Sequence, residues 1–101
     1  MPKLYVHYDP LSNNAWNDGD INRCSREWAR AIKTAATDIH INTSNELSTL
    51  AFRVLVKEKA LDHKQLVFVH NDIEYTVNKD GRFMNYNIPI CIHDDLLMRL
   101  L

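Results

Sequence analysis

Residues 37–56 read TDIHINTSNELSTLAFRVLV, and the reading of this stretch decides the fold. Its first part alternates, with Ile39 and Ile41 on one side and Asp38, His40 and Asn42 on the other. Period two is the signature of a half-buried strand, here over residues 37–42. Thr43, Ser44, Asn45 and Glu46 then fit a capping box, a hydroxyl and a carboxylate three positions apart that satisfy the first free N–H groups of a helix. Behind the box, Leu47, Leu50, Ala51, Val54 and Leu55 recur at three- and four-residue spacing, which predicts a helix docking on that stripe. It should run to about Ala60, with Lys57 and Lys59 suiting the dipole of its last turn. A strand leading through a cap into a helix is one unit of an α/β fold.

A second unit of the same kind precedes it. Leu4, Tyr5, Val6 and Tyr8 form a short apolar strand. It stops at Asp9 and Pro10, because a proline disfavours helix before it and cannot donate to a ladder. Residues 12–19 are rich in Asn, Asp and Gly, which is loop chemistry. Asp18 or Asp20 caps a helix to about Ala36. Its buried stripe is Ile21, Cys24, Trp28, Ala31, Ile32 and Ala35, and its other faces carry Arg23, Arg26, Glu27, Arg30 and Lys33.

Beyond residue 60 the pattern turns to strands. Residues 65–70 have an apolar centre, as a buried strand does. Asn71 and Asp72 make a tight turn into residues 72–78, where Ile73, Tyr75 and Val77 share a face. Asp80 and Gly81 mark a second hairpin turn into a third strand at residues 82–86. Pro89 breaks that strand, and Asp94 caps a short helix holding Leu96, Leu97, Leu100 and Leu101. The expected order is β-α-β-α-β-β-β-α in a single α/β domain over residues 1–101. Two βα units imply parallel strands with right-handed crossovers, and the hairpin adds antiparallel strands at one side.

Composition narrows the function classes. With 46% hydrophobic and 25% charged residues, a chain of 101 residues forms a core and is not disordered. A formal charge of −1 argues against a strongly basic nucleic-acid footprint. No apolar run is long enough for a signal peptide or a membrane span, and Cys24 and Cys91 stand too far apart for a CxxC redox or zinc pattern. Both cysteines are therefore read as reduced and the compartment as cytoplasmic. No Walker A loop or GxSxG elbow occurs, and no cofactor is expected.

Three residue sets carry candidate chemistry. His7 and His40 fall near the C-terminal ends of two neighbouring parallel strands, and Asp9 directly follows the first. That edge is where open α/β sheets bind ligands, and an acid there can hold a divalent cation. Asp38, at the opposite end of its strand, is no partner for Asp9. Against a site stands the plainer reading, in which the histidines are surface residues and Asp9 initiates a turn. Arg23, Arg26, Arg30 and Lys33 line one helix and form the candidate nucleic-acid face, although such a run is usually a solvated surface. Phe52 and Val56 lie off the apolar stripe of their helix. The leucines at 96, 97, 100 and 101 cover nearly the whole circumference of theirs. Exposed apolar patches of this kind mark interfaces.

Residues 38–50, with IHINTSNELSTL at their centre, resemble the strand–turn–helix after the Walker B strand in ABC/SMC-class head ATPases. More narrowly they resemble the overcoming-lysogenization-defect-like predicted ATPases. Thr43 and Ser44 stand where that group has Thr-His-Ser. Residues 67–69 and 75–77 resemble its paired strands, residues 79–83 its DGR turn, and residues 94–101 its acidic-leucine final helix. Residues 4–10 take the place of the Walker B strand, but His7, Tyr8 and a lone Asp9 replace its consecutive acids, and the histidine between Thr43 and Ser44 is missing. The resemblance therefore implies an ATPase-dead C-terminal lobe, an accessory subunit or inhibitor in a phage or bacterial conflict system. The expected function is a non-catalytic protein-interaction module. Its partner would be an ABC-class ATPase or a second copy of itself, and its interface Phe52, Val56, Leu96, Leu97, Leu100 and Leu101. The alternative is a small metal-dependent nuclease or hydrolase using Asp9, His7 and His40.

Overall fold

The computed structural model describes residues 1–9, 21–44 and 46–84, and among these residues it has four strands and two helices. In chain order they are β1 (Leu4–Tyr8), α1 (Ile21–Thr34), β2 (Ile39–Thr43), α2 (Glu46–Lys57), β3 (Leu66–His70) and β4 (Ile73–Thr76), with a 3₁₀ turn at His63–Gln65. The fold is α/β, and the sheet order is β2-β1-β3-β4. β1 lies parallel to both β2 and β3, while β3 and β4 form an antiparallel hairpin. Asn71 and Asp72, with φ of 52° and 63°, are the paired left-handed residues of a type I′ turn, as their sequence predicts.

One core serves both helices. Leu4 and Val6 of β1, Ile41 of β2 and Leu66 and Phe68 of β3 point to the same side, where they meet Ala29 and Ile32 of α1 and Phe52, Leu55 and Val56 of α2. The two crossovers step in opposite directions, from β1 out to β2 and from β2 back past β1 to β3. Crossovers in opposite directions over one face must have opposite hands, so only one of them has the expected right-handed sense. Two right-handed crossovers would have put α1 and α2 on opposite faces. Because they share a face, no described helix lies on the other.

α2 is turned relative to its predicted stripe. Phe52 is 0% exposed, Val56 2% and Leu55 1%, whereas Leu47 is 48% exposed. Leu50, Ala51 and Val54 are half-buried and line a groove with Arg26 and Glu58. Phe52 and Val56 are thus core residues, not interface residues, which corrects the sequence reading. The reason lies in what the turned face can reach. It buries the helix's largest apolar side chain, and it carries Arg53, itself 0% exposed, to the Gly81 carbonyl at 2.9 Å with its guanidinium 4.6 Å over the Phe83 ring. α1 is turned slightly too: Ser25 and Ala29 are buried, while Cys24 and Trp28 are half-buried.

α2 ends earlier than predicted, in a Schellman motif. The Ala60 N–H donates to Leu55 O at 2.9 Å and the Lys59 N–H to Val56 O at 3.0 Å, with Lys59 at φ 65°. At its start, the Thr43 hydroxyl donates to Ser48 Oγ at 2.9 Å in a buried pair. The third hairpin strand reduces, among the described residues, to a single antiparallel bridge between Val77 and Phe83. There Asn78 Oδ1 accepts from the N–H groups of Asp80 and Arg82 and closes the turn. The predicted cap at Asp18 or Asp20, Cys91, and the last helix with Leu96, Leu97, Leu100 and Leu101 lie outside the described residues.

Candidate functional site

Strand alternation decides what the second face of the sheet carries. Tyr5 and His7 of β1, His40 and Asn42 of β2, Val67 (2% exposed) and Val69 of β3 and Glu74 and Thr76 of β4 all stand opposite the core side chains. His40, Asn42, Glu74 and Thr76 are exposed there, and Tyr5, His7 and Val69 are half-buried. Met84 adds an exposed apolar side chain, its Sδ 3.9 Å from the Thr76 hydroxyl.

The register sets His40 opposite Tyr5 and Asn42 opposite His7. His40 therefore lies between two rings of the neighbouring strand. It stacks on Tyr5 with centroids 4.6 Å apart and planes within 6°, and on His7 at 5.2 Å and 30°. His7 Nε2 and His40 Nδ1 are 2.9 Å apart, a hydrogen bond in which one imidazole donates and the other accepts. Such a bond needs one unprotonated nitrogen, because two imidazolium rings have only donors. Burial, and secondarily the charge of His40, hold the His7 imidazole below its ordinary value, so the neutral ring is favoured.

The expected pair of histidines thus meets, but on the face of the sheet and not at its C-terminal edge, because His40 is the second residue of its strand. Asp9 is exposed just past β1, where its N–H donates to Thr43 O at 3.0 Å. Among the described residues no three His, Cys, Asp or Glu side chains gather closely enough to hold a metal ion, so the set Asp9, His7 and His40 is not assembled as a three-ligand site. Asp38 does lie at the opposite end of the sheet, accepting the Lys3 N–H at 2.8 Å. The C-terminal edge is occupied instead by His70, which donates from Nδ1 to Tyr8 O at 3.0 Å and accepts at Nε2 from the Asn71 amide at 3.2 Å.

The cationic helix face is divided. Arg26 pairs with Glu58, just past the end of α2, at 3.2 Å, while Arg23, Arg30 and Lys33 are exposed. A second basic feature escaped the sequence reading. Lys33, Lys57, Lys59 and Lys79 line a cavity of about 650 Å³ together with Asp62, His63 and Asp80. These lysines come from the ends of both helices and from the turn before Phe83, so no run in the sequence announces them. Both helix C-termini also point their carbonyls toward that end, which offsets the attraction for an anion.

No described helix is long and apolar enough to cross a membrane. No family model, no curated protein and no solved structure matches this chain.

Proposed function

We propose that the chain is a non-catalytic protein-interaction module that receives its partner on the Tyr5–His7–His40 face of the sheet. One observation supports this reading above the others. Sheets built on parallel strands are ordinarily covered on both faces, yet both described helices lie on one. The other presents stacked rings, Val69 and Met84, the last 60% exposed. Flat aromatic and apolar side chains ringed by polar ones (Asn42, Glu74, Thr76) are the composition of a docking surface. The resemblance to ABC/SMC-class heads makes an ATPase of that class the first partner to try, in a phage or bacterial conflict setting.

A photo-crosslinking residue placed at Asn42, on this face, is compared with one at Leu47, on the outer side of α2. In the native host the Asn42 probe should capture one dominant protein and the Leu47 probe should not. Capture at Leu47 alone, or at neither position, refutes the assignment.

A further inference from the structure

We propose that His7 and His40 together chelate a divalent late transition-metal ion, copper(II) above all, on the sheet face that carries no described helix. The inference is independent of the docking function, since it rests on the distance between two ring nitrogens.

Imidazole nitrogens suit copper, nickel and zinc, and a site of given ligands binds copper(II) most tightly of the three. At metal–nitrogen bonds of about 2.0–2.1 Å, two nitrogens 2.9 Å apart subtend about 90° at the ion. That is the cis angle of tetragonal coordination, which copper(II) prefers. A tetrahedral ion would need the same nitrogens roughly 3.4 Å apart. The ion takes the place of the one proton held between the rings. Each ring tilts so that its lone pair turns from the other nitrogen toward the ion; when both rings are neutral the bridging proton passes to the donor ring's other nitrogen, and when the pair carries one extra proton that proton goes to solvent. The remaining coordination positions face water, because His40 and Asn42 are exposed.

A further feature favours the site. Tyr5 stacks flat on His40 and limits the ring's rotation, which lowers the entropy lost on chelation. The other described histidines are placed differently. Both nitrogens of His70 are engaged within the fold, and His63 stands beside Asp62 at 3.6 Å.

The test uses the full chain without a histidine tag. Substoichiometric copper(II) should broaden the ring proton signals of His7 and His40 before those of His63 and His70. Calorimetry should show one site per chain, weakened in H40Q by at least the roughly 10–100-fold that follows loss of even an outer-shell partner, and unchanged in H63Q. Two results would overturn the proposal: broadening that begins at another histidine, or an H40Q affinity equal to that of the parent. Should H40Q fail to fold, the order of broadening in the parent chain decides alone.

Discussion

Truncating Phe52 tests the orientation of α2, on which the core and the choice of interface both depend. Phe52 is 0% exposed among Val6, Leu55 and Phe68, in the same core. Burying such a side chain contributes about 1.5–3 kcal/mol by transfer from water. The cavity left by Phe→Ala raises the loss to roughly 3–5 kcal/mol. A domain of this size has about 5–15 kcal/mol in total, so Phe52→Ala should be much less stable or largely unfolded. Leu47→Ala is the paired measurement. Its side chain is 48% exposed, and its loss should stay under about 1 kcal/mol. The apolar stripe read from the sequence predicts the reverse order, with Leu47 facing in and Phe52 out. Urea unfolding of both variants, followed by far-UV circular dichroism, separates the two. A midpoint for Phe52→Ala at or above that of Leu47→Ala would refute the turned helix, and with it the removal of Phe52 and Val56 from the interface.

The remaining predictions concern single interactions. Arg53→Met should cost about 1.5–3 kcal/mol by urea unfolding, the worth of a charged hydrogen bond, here to the Gly81 carbonyl. Lys59→Gly should stabilise by about 0.5–1 kcal/mol, because glycine adopts the 65° φ of the Schellman position without a Cβ clash, and thermal melting reads the gain. His7 is held below its ordinary value of 6.5, so between its folded value and 6.5 the unfolded chain binds more protons than the folded one. Stability should therefore be complete above 6.5 and fall as the pH drops through that window, and His7→Gln should flatten the dependence in metal-free buffer.

Local chemistry decided the existence and kind of nearly every described element. Alternation over Ile39 and Ile41, the helical spacing in α1 and α2 and the left-handed pair at Asn71 and Asp72 each act over a few residues, and all were legible in the sequence. Which face of α2 turns inward was not. Its two candidate stripes share Leu55, and the choice between them falls to groups distant in sequence, Gly81 and Phe83, that receive Arg53. The strand order was equally hidden, because it is set by where β2 and β3 find β1. That order, with both helices on one face, leaves Tyr5, His7 and His40 on the other. Alternation and the two βα units could place His7 and His40 on neighbouring strands. Only the register, with His40 opposite Tyr5, decided that their nitrogens meet on the sheet's face and away from its edge. The lysine-lined cavity has the same origin, since Lys33, the Lys57 and Lys59 pair and Lys79, three places far apart in the chain, converge only when the helix ends and a turn are packed together. Periodicity reports which way one element faces relative to itself; pairing partners and hands of connection are long-range choices, made by packing that no short window of sequence contains.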